Sequence, residues 1–305
     1  MSSNPRIVLT DNQYGKAENR VVRIYRDTDR HEIRDVTVST ALRGDFADAH
    51  LHGDQSKVLP TDTQKNTCYA FAKEKGLREI EEYALTLGRH FVDDVAPVRG
   101  ARIEVQEYSW QRVQVAGQDH DHTWVRNGSE VRTTVVTVEG EQAWVVSGLR
   151  DLVLLKSTGS EFAGFLTDGY TTLAETHDRI MSTSLVARWR YAGTSGFAGT
   201  DWDKTWADVR RILLEKFATV HSLALQQTLW EMGSAVLEAH PEIAEIKLSA
   251  PNRHHFVVDL EPFGLENNNE VFYAADRPYG LIECALTRED APEPGLAWAS
   301  VPGFA

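Results

Sequence analysis

Cysteine is scarce. Cys68 and Cys284 are the only two in 305 residues. That is too few for a disulfide framework or a four-thiolate metal site, and it fits a reducing compartment. No apolar run approaches the ~20 residues needed to span a bilayer. Positive charge is outnumbered: 32 Lys and Arg stand against 45 Asp and Glu, a formal net charge of −13. Such a field repels phosphate backbones and anionic lipid, and no basic stripe offsets it, so neither nucleic acid nor a membrane surface is an expected partner. Several chemical signatures are absent as well. There is no Gly-x-Gly-x-x-Gly after a strand, no phosphate-binding loop ending in Gly-Lys-Ser/Thr, no Gly-x-Ser-x-Gly elbow and no His-Glu-x-x-His. Nucleotide-dependent, hydride-transfer and serine-hydrolase mechanisms are therefore disfavoured. The first ten residues hold no apolar signal region and the terminal Val-Pro-Gly-Phe-Ala no peroxisomal tripeptide, so the expected location is the cytoplasm.

What remains is an ordinary globular composition, 42% hydrophobic and 25% charged, in a chain long enough for about two domains. From Arg20 to Leu42, Val and Ile alternate on either side of the polar run Arg26 to His31, which predicts a β-hairpin. A polar stretch from Gly44 to Lys65 follows, longer than an ordinary connection, and long loops in compact domains are often functional. Cys68 to Val95 has helical spacing with a break near Gly76. Strand patterns return at Ala101 to Val115 and at His122 to Arg126, before an Asn127-Gly128 turn. The order then starts over. A hairpin over Val131 to Lys156 is followed by helical spacing from Phe162 to Met181 and two helices, Trp202 to Thr219 and Ser222 to His240. Strands at Ile246 to Ser249, His254 to Leu260 and Leu281 to Thr287 close the chain.

Short identities support a tandem repeat. Ala41-Leu42-Arg43-Gly44-Asp45 resembles Gly148-Leu149-Arg150-Asp151, and Lys65-Asn66-Thr67 resembles Lys156-Ser157-Thr158, at spacings of 107 and 91. Antiparallel hairpins with segregated helices argue α+β rather than a doubly wound sheet.

The candidate chemistry is sparse. In Asp119-His120-Asp121-His122 both imidazoles point to one face of a strand, a geometry open to two metal ligands or to a plain polar loop. His254-His255 on a strand places one ring on each face. Tyr14-Gly15-Lys16 reads as a turn, Thr61-Asp62-Thr63 as capping chemistry and Arg179 as a charge favouring a helix end; Phe162 reads as core.

Together these pieces resemble the urate oxidase (uricase) family from Tyr14 to at least Cys284. The resemblance is carried by Tyr14-Gly15-Lys16, by Thr61-Asp62-Thr63-Gln64-Lys65-Asn66-Thr67 and by the run Leu154 to Phe162. It continues through Gly164-Phe165-Leu166, Tyr170-Thr171-Thr172-Leu173, Asp178 to Thr183, Leu225-Gln226-Gln227-Thr228 and Pro251-Asn252-Arg253-His254-His255-Phe256. It implies an α+β architecture of two tandem tunnelling-fold (T-fold) domains, which we place at 1–129 and 130–305. It further implies a homotetramer with active sites at subunit interfaces. The implied reaction takes urate, O2 and water to 5-hydroxyisourate and hydrogen peroxide, with no metal and no organic cofactor.

By the same resemblance Phe162 stacks on the substrate ring, Arg179 clamps one edge and Gln226 reads the opposite edge. Leu225 offers its backbone N–H, and Asp62 contacts substrate through its backbone. Asn252 and Thr61 hold oxygen or water above the ring, and Lys16, Thr61 and His254 form a proton relay. The His120–His122 pair then has no catalytic metal to hold. Three departures stand out. One extra residue separates Lys16 from Val22-Arg23, Pro60 replaces a small residue, and Leu225 stands where Val is common. The rival readings are a zinc-dependent pterin-processing T-fold enzyme, which would favour Glu at Gln226, and a catalytically silent purine-binding protein.

Overall fold

Eight strands pair in chain order into one antiparallel sheet, and two of the connections between neighbours carry the α-helices. The computed structural model describes residues 6–299, the side chain of Asp276 apart, so the first five residues and the C-terminal Val-Pro-Gly-Phe-Ala, which bear on location, lie outside the described residues. Strands β1 (Tyr14–Tyr25) and β2 (Glu32–Gly44) form the first hairpin. Helices α1 (Ala47–His52), α2 (Thr61–Glu74) and α3 (Ile80–Asp94) intervene before β3 (Val98–Val115) and β4 (Gln118–Glu139). The second half runs β5 (Gln142–Lys156), β6 (Met181–Tyr191), α4 (Trp202–Thr219), α5 (Leu225–Ala239), β7 (Ile243–Val257) and β8 (Phe272–Thr287). Among the described residues no helix is long and apolar enough to cross a membrane.

Alternation sets which face is covered. Val36, Val38, Thr40 and Leu42 of β2 are all buried, and they face the helices, as do Ala101, Ile103 and Val105 of β3. α3 brings Leu87 and Phe91 to β3 and β4, and α5 brings Leu229, Met232 and Val236 to β7 and β8.

The two halves repeat in detail. In β1, Ala17 and Glu18 oppose the single residue Ser39; in β5, Arg150 and Asp151 oppose Val186. Each is a bulge whose acidic residue has positive φ, 54° at Glu18 and 58° at Asp151. A glycine precedes each bulge, and a Cβ on either would strike the facing strand, 1.7 Å from the Thr40 carbonyl oxygen at Gly15 and 2.5 Å from that of Ala187 at Gly148. α3 and α5 each place a glycine nine residues in, Gly88 against Val138 of β4 and Gly233 against Leu286 of β8. Ser109 of β3 faces the excess residues 127–130, and Arg253 of β7 faces 276–279.

This repeat is in a different phase from the one the short identities suggest. Gly148 to Asp151 lie on the first strand of the second half, whereas Ala41 to Asp45 close the second strand of the first. Lys65 to Thr67 lie within α2, whereas Lys156 to Thr158 leave β5. Other expectations also need correcting. Asn127-Gly128 does not reverse the chain; it sits in the β4 bulge, and β4 runs unbroken across residues 129 and 130. Thr61 opens helix α2 rather than sitting in a loop. The stretch from Phe162 to Met181 is not helical. Gly159 and Gly164 adopt positive φ, and Asp168 turns the chain by accepting the Tyr170 N–H at 2.9 Å and the Thr171 hydroxyl at 3.0 Å. Such local side-chain bonds compete with a helix. The apolar residues that suggested one do not enter this chain's core: Leu166 is 96% exposed and Tyr170 93%.

Candidate active site

The expected site residues fall into two groups. The first surrounds the start of α2. The β1 bulge reverses the facing parity of the strand, so Lys16, paired with Thr40, shares the helix-covered face with Asn19 and Val21. This explains how one additional residue between Lys16 and Val22 is accommodated without turning the lysine away. The Lys16 backbone N–H donates to the Thr40 hydroxyl at 3.2 Å, and that hydroxyl donates at 2.7 Å to the buried Gln64 carbonyl oxygen in the first turn of α2. Pro60 occupies the N-cap and makes no side-chain cap, which leaves the N–H groups of the first turn open at Thr61 and Asp62. The Asp62 carboxylate is engaged by Lys65 and by Asn66 at 3.1 Å. Lys65 foremost, and also the Lys16 charge, holds its pKa below the ordinary carboxylate value.

The second group lies between β5, α5 and β7. Residues 157–180 are pinned by backbone bonds rather than by an element of their own. Glu161 N–H donates to the Ser222 carbonyl at 2.8 Å, Phe162 and Thr176 exchange bonds at 2.8 and 3.0 Å, and Arg179 N–H donates to the Ser160 carbonyl at 2.9 Å. The Arg179 guanidinium stands 5.2 Å from the centre of the Phe162 ring, which is stacked on Phe165. Ser160, Ser222 and Thr228 beneath it are fully buried, and Thr228 donates to the Ser222 hydroxyl at 2.8 Å. α5 begins at Leu225 with no side-chain cap, so its N-terminal N–H groups and the exposed Gln226 side chain are free to meet an anion. The chain leaves α5 and doubles back into β7. Near the far end of β7, His254 lies within electrostatic reach of Arg179. Burial first, then the Arg179 charge, lowers the His254 pKa from its ordinary 6.5.

That direction makes a prediction. His254 stays neutral to a lower pH than a free imidazole, and Arg179→Gln moves its titration part of the way back up, since burial remains. An NMR titration of the His254 ring tests both; titration at or above 6.5 in the unmutated protein contradicts the account.

Within one chain the two groups do not meet. Lys16 lies on β1 and His254 on β7, six strand spacings apart, about 29 Å along the sheet. The His120 and His122 rings approach edge-on with centroids 4.4 Å apart and His31 lies 6.0 Å from His122, but among the described residues no three His, Cys, Asp or Glu side chains are arranged to hold a metal ion.

A cleft of about 840 Å3 opens elsewhere, lined by Arg34, Tyr108, Trp110, Arg132, Asp203 and Trp206 among others. The repeat explains its position. Glu81 and Gln226 are both the second residue of their helix, α3 and α5, and the β4 bulge lining the cleft is the counterpart of the β8 bulge facing Arg253. In the first half this position is closed by the chain itself. Glu81, fully buried, accepts from Arg132 at 2.7 Å and from the Ser147 hydroxyl of β5 at 2.7 Å, while α4 begins against it, with Asp203 N–H donating to Glu79 at 3.1 Å. Sequence reasoning missed Glu81. The recurring Ile80-Glu81-Glu82 to Gly88 and Leu225-Gln226-Gln227 to Gly233 was the signal that could have found it.

The uricase family model matches residues 12–137 and 145–283, on either side of the β4–β5 turn. The uricase of Arthrobacter globiformis is 53% identical over 303 residues, covering 99% of this chain and 97% of that one. The uricase of Dictyostelium discoideum is 35% identical over 92% of this chain and 97% of its own. The crystal structure of the Arthrobacter globiformis uricase superposes with a TM-score of 0.90 over 96% of this chain and 99% of that chain. A Bacillus uricase structure, 24% identical, shares the fold at a TM-score of 0.80 over 93% of this chain and 95% of its own. Agreement of this extent in both sequence and fold, over two matching T-fold halves, leaves one assignment: the chain belongs to the uricase family.

Proposed function

We propose that the protein is a urate oxidase of purine breakdown, acting in the cytoplasm as a homotetramer without metal or organic cofactor. The observation that supports this most is that Arg179, Phe162 and the connection into the uncapped α5 are held together through Ser160 and Ser222. Urate is a flat anion with carbonyl and N–H edges. Arg179 supplies a planar, permanently charged fork for one edge. Gln226 offers one donor and one acceptor to the other, Leu225 gives a backbone N–H, and Phe162 covers the ring. The chemistry belongs to the substrate. Deprotonated urate passes two electrons to O2, which takes up two protons to leave as hydrogen peroxide, and water adds to the oxidised ring to give 5-hydroxyisourate. Lys16, Thr61 and His254 move the protons, with Asn252 and Thr61 holding O2 or water over the ring.

Since one chain separates these groups, Lys16, Thr61 and Asp62 act on the pocket of a second copy. The junction between the two halves supports a form for such an interface. β5 lies beside β4 and α4 begins against the start of α3. By the repeat, β1 and the start of α2 from another copy lie beside β8 and the start of α5. The exposed Leu166 and Tyr170 offer apolar surface to the same assembly. The two free thiols, Cys68 and Cys284, support a reducing compartment.

The test is loss of urate absorbance with stoichiometric peroxide release by chelator-treated protein. Turnover under those conditions is expected. Turnover only after zinc is restored contradicts the cofactor-free reading and favours the pterin-type rival.

A further inference from the structure

Glu161 stands between the fully buried Ser160 and the ring-stacking Phe162, and each of its carboxylate oxygens takes a different histidine. Oε2 lies 2.9 Å from Nδ1 of His177, and Oε1 lies 2.7 Å from Nε2 of His221. His177 adjoins Thr176, the partner of Phe162, and lies just before Arg179. His221 adjoins Ser222 in the connection that leads into α5 and Gln226. One carboxylate thus ties together three stretches of chain that carry the stacking ring, the arginine clamp and the reading amide.

We propose that Glu161 is a positioning residue for the substrate, and that its two-histidine fork sets the spacing between the Arg179 guanidinium and the start of α5. This rests on the urate reading given above. The stretch 157–180 has no helix or strand of its own, so its placement comes from cross-links. Other side chains on the same stretches do not span both clamps. Lys156, its pKa lowered by burial, donates to the Val220 carbonyl at 2.7 Å, Asp178 takes the Thr158 hydroxyl at 2.8 Å, and Glu175 takes the Gly164 N–H at 2.8 Å. The Arg179 side chain donates to the Ser160 hydroxyl at a long 3.4 Å and bears on His254, beside His255. Glu161 is 20% exposed although its two histidines are largely solvated, and hydrogen bonds to an ionised acceptor are the stronger kind. The ligand edges are read by groups on opposite sides of this fork, so a small loss of register weakens both contacts together.

Urate binding is measured by anaerobic titration, and KM and kcat in air, for the unmutated protein, Glu161→Ala, Glu161→Gln and the double variant His177→Ala/His221→Ala. Glu161→Ala and the double variant are expected to weaken urate binding and raise KM about tenfold, with a smaller fall in kcat. Glu161→Gln keeps an oxygen for one imidazole and an N–H for the other, so it should stay within about threefold of the unmutated protein. Unchanged urate affinity in Glu161→Ala overturns the proposal, as does a Glu161→Gln variant as impaired as Glu161→Ala. Unmutated protein that binds no urate overturns the urate reading itself and this inference with it, and that failure shows before any substitution is made.

Discussion

Arg179→Ala is expected to weaken urate binding by about thirtyfold or more, whereas Lys16→Ala and Thr61→Ala still bind urate and lose turnover. Arg179 is half-buried and burial lowers its pKa, yet guanidinium remains charged at any working pH. On the proposed reading it is the local positive group that holds the anion. Removing a partly desolvated, forked charge partner costs about 2–5 kcal/mol, a weakening of at least thirtyfold and up to several thousandfold. On the proposed urate reading, Lys16 and Thr61 serve proton transfer and oxygen rather than the edges of the ring. Loss of a positioned proton-transfer group lowers the rate by roughly 10²–10⁴-fold while leaving the edge contacts in place. Anaerobic binding titrations beside steady-state kinetics separate the two outcomes. Equal losses of affinity and rate in all three variants contradict the division of labour.

Arg132→Met is expected to destabilise the folded chain by about 3–5 kcal/mol. Arg132 is 7% exposed and joins Glu81 of α3 to Asp203 of α4, so it couples the two halves of the chain. Burial raises the Glu81 pKa and the Arg132 charge opposes that rise. Without Arg132 the carboxylate is left in a fully buried position, bonded to the Ser147 hydroxyl but without its cation. Glu81→Gln added to Arg132→Met removes the stranded charge and keeps the bond to Ser147, so the double variant should recover much of the loss. Denaturant midpoints at one fixed protein concentration report this, since assembly adds its own stabilisation. A double variant as unstable as the sum of two independent losses contradicts the coupling.

Much of the architecture was legible because it rests on periodicity. α4 and α5 carry complete apolar stripes and are bounded by Asp201 and His240, so spacing alone located them. The order of hairpin, helices and strands was visible for the same reason. What failed was chemistry with two possible uses. Asn127-Gly128 has the left-handed preference of a tight turn, and a bulge needs it equally. The apolar spacing over Phe162 to Met181 imitates a helix because Leu166 and Tyr170 point away from this chain's core. The repeat was detected in the wrong phase because Leu-Arg pairs are common. Its real markers are the glycines at 15, 148, 88 and 233, each enforced by a close contact that sequence alone does not display. In the second half, Phe162, Arg179 and the connection into α5 are tied together through Ser160 and Ser222. The separation of Lys16 and Thr61 from them follows from strand order and could not be read from spacing.

The central claim is that each site is built from two copies of the chain, and co-assembly tests it most directly. Lys16→Ala and Arg179→Ala are each nearly inactive on this account. When equal amounts are unfolded, mixed and reassembled, sites pairing the intact first half of one variant with the intact second half of the other regain full chemistry. Random assembly predicts about one quarter of the activity of the unmutated protein. No recovery, in mixtures whose mixed composition is established by native mass spectrometry, contradicts the account.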